Sequence, residues 1–587
     1  MRADTMEILS GSGPRAAISS QSLRFADGLI DNDVGLGHAL NRDSPPRRAS
    51  LYLFPVQDTL LFILLLSFVF GLGLLARRLG VPYPILFVIG GLCISFLPGL
   101  PTQLSLSPNL FFFLFLPPIL YWQAFNTSWR DFRRELRPIL LLAIGLVLAT
   151  TITVAFVSHW LIPGFPLAAG FVLGAIISPP DAIAAAAIAQ RLGLPRRIVT
   201  ILEGESLVND ATSLVAFKTA LAAVGASVPL IGGAWMPGEF IYIALGGIVA
   251  GLMIGWGISW IRRRIADDGP QNFLTIALIT PFLSYIVADQ MLQVSGVLSV
   301  VATGLYLGWE SPEVVTSSVR LQAVAVWDII VYLLNGIVFV LIGLQLPGIL
   351  HRLDNYTWPQ LLLYVAVVNA VCIVVRMLWV FPGAYVPYLA SRRVKDHEVL
   401  PTWREVSIVG WSGMRGIVSL AAALGLEAYP GFPRAHLVQF LAFSVILITL
   451  VFQGLTLPPL IRWLGVDDDG SAAAEERVAR LRISVAVFDK IKEVRAEDKF
   501  AESALETVER SYRERALVLE DELLQQLGWT DRRHHVQSMH RLWRLTIATQ
   551  RRALIDLRRK GVIADDVMHK IEHELDLEEA RLRGDVA

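Results

Sequence analysis

The sequence predicts an all-α membrane protein: about thirteen transmembrane helices with inverted repeats and crossed broken helices, followed by a helical cytoplasmic C-terminal region. Three observations predict it. Of the 587 residues, 54% are hydrophobic and only 17% charged, and mean hydropathy is +0.54; a soluble domain carries nearer ~25% charge. Apolar stretches of membrane-crossing length recur along the chain, and the loops between them alternate in basic content. Two of the stretches are interrupted at mid-span by polar residues, which a bilayer tolerates only where they have partners or ligands.

Taken in order, residues 1–54 are polar, rich in Gly, Ser and Asp and without sustained periodicity, and read as a disordered extension. They contain no short apolar core with a small-residue cleavage site, so no cleavable signal peptide is expected. A transmembrane domain is expected over residues 55–465. Its spans lie near 56–76, 83–98, 109–125, 138–162, 166–190, 198–224, 239–261, 272–289, 294–309, 323–346, 358–381, 404–427 and 437–462. Residues 466–587 are charged and helix-favouring. Val478, Leu481, Ile483, Val485, Val487, Phe488 and Ile491 mark an amphipathic stretch there, suited to packing or regulation.

Arg77/Arg78, Arg130/Arg133/Arg134/Arg137, Arg191/Arg196/Arg197, Arg262/Arg263/Arg264 and Arg392/Arg393/Lys395 all fall on alternate loops. The opposite loops hold little beyond Arg352 and Arg434. The positive-inside rule then puts the N-terminus outside and the C-terminal region in the cytoplasm, with Arg47 and Arg48 as the one dissenting pair. A net charge of zero implies no nucleic-acid partner. Both cysteines, Cys93 and Cys372, fall inside apolar spans and are expected as small core residues rather than a disulfide.

The fifth span contains Ser178-Pro179-Pro180-Asp181. Two consecutive prolines remove two N–H donors and clash with carbonyls one turn back, so the helix should open there and free carbonyl oxygens. Asp181 then precedes the Ala-rich run Ala182–Gln190 as the N-cap of a second half-helix, facing its positive dipole end. The bland alternative is a kinked helix with a satisfied cap and no ligand.

The sixth span contains Glu205-Ser206-Leu207-Val208-Asn209-Asp210. At ~100° per residue, Glu205, Asn209, Ser213, Ser206 and Asp210 stand at roughly 0°, 40°, 80°, 100° and 140°, sharing one face. Asp210 is near the centre of this span, level with Asp181. A hard monovalent cation needs several oxygens, which Asp210, Glu205, Ser206 and a freed carbonyl of the broken span would supply. A structural ion pair or a protonated carboxylate is the alternative. Lys218, about two turns beyond Asp210, lines an outer passage or snorkels outward.

Two arginines lie inside spans. Arg376 needs a buried anion, and Glu205 is its expected partner. Arg415 falls in the glycine-interrupted segment Gly410–Gly416 of the twelfth span. This reads as a second broken helix crossing the first, with Arg415 near half-helix carbonyls; a snorkelling residue is the alternative. The fifth and twelfth spans are an odd number apart and enter the membrane in opposite directions, as inverted repeats require.

Other chemistries find no support. His569-Lys570-Ile571-Glu572-His573 matches a zinc-peptidase pattern but reads as a solvated helix face. Gly204–Val208 lacks the second glycine of a nucleophile elbow, and no phosphate-binding loop or dinucleotide fingerprint occurs. A cation channel would need a continuous polar pore, whereas the polar residues here are isolated.

Ser178–Ala185, the string Gly-Glu-Ser-Leu-Val-Asn-Asp at 204–210, Arg376 and Gly-Met-Arg-Gly at 413–416 resemble the cation:proton antiporter-1 family. That family includes bacterial NhaP-type antiporters and eukaryotic sodium/proton exchangers, and the resemblance covers about residues 55–465. It implies that Asp210 takes sodium and a proton alternately and that Glu205 and Ser206 hold adjacent ligand positions, a Na⁺ site at Asp210, Glu205 and Ser206. Asn209 matches the asparagine of the Asn-Asp pair, Arg376 the arginine paired with the glutamate, and Asp181 the acidic residue at the unwound helix. Many members carry Thr or Val before Asp-Pro at the unwinding point. Here Pro180-Asp181-Ala182 stands instead, leaving only the Pro180 carbonyl as a ligand at that position. The resemblance also implies a homodimer.

The expectation is therefore a secondary antiporter in the cell membrane, not an enzyme and without a cofactor, exchanging Na⁺ or Li⁺ for H⁺. K⁺/H⁺ exchange at the same site is the alternative. If Glu205 is held by Arg376 and Asp181 by a helix N-terminus, only Asp210 titrates and the exchange is electroneutral.

Overall fold

The computed structural model describes residues 56–96, 108–226, 236–265, 270–314, 317–350, 356–390, 400–426 and 431–496 apart from position 469, with scattered positions elsewhere. The expected N-terminal extension, the histidines of the 569–573 stretch and most of the chain beyond 496 lie outside the described residues.

The described residues form helices and no strand. In chain order these are α1 (Val56–Leu79), α2 (Tyr83–Ser95), α3 (Pro108–Asn126), a short α4 (Trp129–Arg134) and α5 (Leu136–Leu161). Then come α6 (Leu167–Ile177), α7 (Ala182–Arg191), α8 (Arg196–Ala226), α9 (Met236–Arg264), α10 (Pro270–Met291) and α11 (Gly296–Val314). The remainder are α12 (Ser317–Leu350), α13 (Trp358–Ala390), α14 (Trp403–Trp411), α15 (Ile417–Gly425), α16 (Ala435–Leu464) and α17 (Ser471–Ala496).

Every apolar stretch expected to cross the membrane coincides with a helix or with a broken pair of helices. Among the described residues, seven helices are long and apolar enough to cross by length and composition: α5, α8, α9, α10, α12, α13 and α16. Helices α2 and α6 are apolar but shorter. In α5, α10 and α16 the ladder widens into a π turn, at Leu141–Leu146, Val287–Met291 and Thr449–Gln453. Such bulges inside long helices often mark functional regions, and the third contributes Thr449 to the site below.

Within a bilayer the hydrophobic effect does not drive helices together, so close packing and small residues must. Helices α5 and α6 meet in this way: a side chain at Gly170 would stand 2.7 Å from the Ala155 carbonyl oxygen. The buried apolar residues form two main clusters. One holds Ile119, Ile177 and Ile417; the other holds Leu116, Leu120, Leu207 and Val418. The polar interruptions of α6–α7, α8 and α14–α15 sit where these clusters meet.

The cysteines depart from expectation in one respect. Cys372 is buried, but Cys93 is exposed on α2, on a helix face that an apolar sequence alone does not assign.

Candidate ion-binding site

The fifth span breaks where the prolines require. Helix α6 ends at Ile177, α7 starts at Ala182, and Asp181 caps α7 by accepting a 2.8 Å hydrogen bond from the Ile183 amide. The twelfth span breaks at the glycines, between Trp411 and Ile417. Helix α14 starts from a capping box in which Thr402 and Glu405 satisfy each other's backbone amides.

The two breaks cross in contact. The Asp181 amide donates to the Met414 carbonyl at 2.7 Å. Gly416 packs against the Asp181 carboxyl so closely that a side chain there would stand 2.5 Å from its Cγ. Four half-helix ends converge. Asp181 lies beside the N-termini of α7 and α15, where a carboxylate is favoured by the dipoles. Arg415 lies at the other two ends: its Nε donates to the Ile177 carbonyl of α6 at 2.6 Å, and its Nη1 to the Gly413 carbonyl at 2.7 Å. Its own amide donates to Thr449 Oγ1 at 3.0 Å. At 1% exposed, Arg415 does not snorkel.

Asn209 is fully buried and donates through Nδ2 to the Pro180 carbonyl at 2.8 Å. The freed carbonyl expected as a cation ligand is thus engaged by a side-chain amide. A backbone oxygen released by a helix break must find a donor when buried, and Asn209, one turn of α8 away from Glu205, is the donor in reach.

Glu205 and Arg376 come together. Arg376 Nη1 lies 2.5 Å from Glu205 Oε1 and Nη2 lies 2.8 Å from Oε2, a bidentate pair with both side chains essentially inaccessible. Arg376 also donates to the Val409 carbonyl of α14, from Nε at 3.3 Å and Nη2 at 3.0 Å. Gly413 makes room for this guanidinium, since a side chain there would stand 2.9 Å from Arg376 Nε. Both oxygens of Glu205 are therefore occupied, and Glu205 does not line the cleft described next.

Asp210 is buried at 7% exposed, and among the described residues its carboxylate receives no hydrogen bond and pairs with no cation. It opens onto a small cleft of about 20 Å³ whose polar lining is Gln123, Asp181, Ser206, Asp210 and Ser419, between apolar walls from α3, α7 and α15. Asp181 Oδ2, on the side of Asp181 away from its cap bond, is likewise buried without a hydrogen bond. Two carboxylates and two hydroxyls around a small cleft are the hard oxygen donors that a monovalent cation needs in place of its water. Ser213, on the polar face by angle, instead donates to the Asp210 carbonyl at 2.9 Å.

Lys218 forms an ion pair with Asp289 of α10 at 3.0 Å, which the sequence reading did not anticipate. Gln123 and Ser419 were also missed. Gln123 follows Pro117-Pro118, a proline pair like that of the fifth span, although here the helix α3 runs on unbroken. Ser419 carries no comparable mark in its apolar run.

The profile described as "Sodium/hydrogen exchanger, transmembrane" matches residues 64–463. Similar proteins include an uncharacterised Na⁺/H⁺ exchanger of Mycobacterium tuberculosis, 36% identical over 515 residues covering 86% of this chain and 93% of that protein. A sodium, potassium, lithium and rubidium/H⁺ antiporter of Bacillus subtilis is 36% identical over 424 residues, covering 69% of this chain and 62% of that one. The fold is similar to that of the sodium proton antiporter MjNhaP1 from Methanocaldococcus jannaschii, with a TM-score of 0.55 and 20% identity over 70% of this chain and 98% of the other. Family profile, relatives and fold agree: the chain belongs to the sodium/hydrogen exchangers, multi-pass membrane transporters of the monovalent cation:proton antiporter family and not enzymes.

Proposed function

We propose that this protein is a secondary antiporter that exchanges Na⁺, or Li⁺, for H⁺ across the cell membrane by competition at Asp210. The observation that carries the reading is the Asp210 carboxylate itself, buried beside a polar cleft with no resident partner. A bare carboxylate in low dielectric is costly, so it binds a proton or a cation. Loaded with either, the site is neutralised and crosses the membrane barrier cheaply; empty, it does not.

Asp210, Ser206 and Asp181 are the cation-facing groups. Glu205 and Arg376 fix α8 against α13 and α14, Asn209 holds the Pro180 carbonyl, and Arg415 neutralises two half-helix C-termini. Glu205 is locked by Arg376 and Asp181 lies against two helix N-termini, so one carboxylate cycles. The exchange is then electroneutral, one proton for one cation. The transmembrane domain spans 55–465, with the N-terminus outside, the 466–587 region cytoplasmic, and a homodimer as the working unit.

K⁺/H⁺ exchange at the same site is the second reading, favoured by the Bacillus subtilis relative whose name includes sodium, potassium, lithium and rubidium. Purified protein in proteoliposomes, with an internal pH dye and outward or inward gradients of Na⁺, Li⁺ or K⁺, tests both. Alkalinisation or acidification driven by Na⁺ and Li⁺ supports the first reading; a larger response to K⁺ supports the second. A potassium–valinomycin voltage should leave the sodium/proton equilibrium unchanged. A shift with voltage means that a second carboxylate titrates.

A further inference from the structure

Ser419 sits in the first turn of α15, 1% exposed, and is one of the residues that line the cleft holding Asp210, Asp181 and Ser206. It makes no hydrogen bond. Thr150 and Ser158 of α5 share this, although a buried helical hydroxyl ordinarily donates to the carbonyl three or four residues back. Thr151, Thr212, Ser412, Ser444 and Thr449 all do so in this protein. The residue four back from Ser419 is Arg415, which precedes the helix and lies in the break. The twelfth-span break brings Gly416 against Asp181, and the Gly416 carbonyl, three residues before Ser419, accepts from the Leu420 amide.

An unbonded buried hydroxyl is costly, by roughly the desolvation of a polar group, unless something else occupies it. Its oxygen is a hard neutral donor, suited to a dehydrated monovalent cation and not to a proton carrier. We infer that Ser419 is an oxygen ligand of the transported cation, contributed by the second broken helix opposite Ser206 and Asp210 of α8. The inference rests on the reading of Asp210 as the exchange site. It makes the ligand set span α8 and both breaks, so the bound cation stitches the crossing together, whereas a proton on Asp210 does not engage Ser419. Ser419 then tunes cation affinity without affecting proton binding.

The test is sodium/proton exchange by Ser419→Ala and Ser419→Cys proteins in proteoliposomes. Cysteine fills nearly the same volume but offers a soft sulfur that a hard cation does not favour. Both variants should raise the KM for Na⁺ by roughly three- to tenfold, the loss of one neutral donor. Maximal rate and unfolding temperature should remain near wild type. Thr150→Ala, which removes another fully buried, unbonded hydroxyl away from the cleft, should leave KM unchanged. A wild-type KM in Ser419→Ala overturns the inference. So does a raised KM in Ser419→Ala with a wild-type KM in Ser419→Cys, which marks a packing effect. Should Ser419→Ala not survive purification, the cysteine variant alone decides. Asp210→Asn is run in parallel: if it still exchanges, the underlying site reading fails; if it is inactive while both Ser419 variants behave as wild type, only the Ser419 inference fails.

Discussion

Removing both members of the Arg376–Glu205 pair should destabilise the protein by less than the two single removals add up to. The guanidinium makes two hydrogen bonds to Glu205, at 2.5 and 2.8 Å, and two longer ones to the Val409 carbonyl. In Glu205→Leu the charge stays buried with only that carbonyl as acceptor; in Arg376→Met the carboxylate loses both its donors. A surviving buried charge of this kind costs about 3–5 kcal/mol. The double variant leaves two apolar side chains and no orphan charge. It should therefore be less damaged than the sum of the singles, with a coupling of about 2–3 kcal/mol. Unfolding of the four proteins in one detergent, by denaturant titration with a spectroscopic readout, measures the cycle. Effects that add to within about 0.5 kcal/mol would mean that the pair is not a unit. The electroneutral argument would fall with it, because Glu205 would then be free to titrate.

Gly416→Ala should cost about 1–3 kcal/mol by overpacking, because the new methyl overlaps the Asp181 carboxyl, and should cut exchange at least ~10-fold. Gly257→Ala, whose added methyl meets nothing within 4 Å, is the control; equal behaviour of the two would show that the crossing is not tightly built. Competition for one carboxylate also fixes a slope. On the acid side of the site's titration, the KM for Na⁺ should rise about tenfold for each unit of pH lost, as protons occupy Asp210. A slope near 100-fold per unit, measured by initial rates across a pH series, would show two protons competing.

Much of this site was legible because charge burial in a membrane leaves few options. Asp181 as a cap follows from two prolines and an alanine-rich run. The Glu205–Arg376 pair follows from two lone charges inside apolar spans. Arg415 near half-helix carbonyls follows from its glycine-flanked break. What escaped was set by tertiary crossing. Angles around α8 put Asn209 on the polar face but could not say that it would meet the Pro180 carbonyl. The same angles placed Glu205 with the cation ligands, whereas the bidentate bond turns both its oxygens to Arg376. Lys218 and Asp289 meet across α8 and α10, a register no local pattern encodes. Ser419 was invisible for a different reason: a serine in an apolar helix normally bonds its own backbone, and no local pattern marks this one as unbonded.

The central claim is that Asp210 is the group at which cation and proton compete. Asp210→Asn keeps the shape and the buried position but can neither release a proton nor offer a charge. Sodium-driven proton flux through purified Asp210→Asn protein, reconstituted at wild-type density with a wild-type unfolding temperature, tests this most directly. The account predicts flux indistinguishable from protein-free liposomes. Flux near that of the wild type would contradict it and move the exchange site away from Asp210.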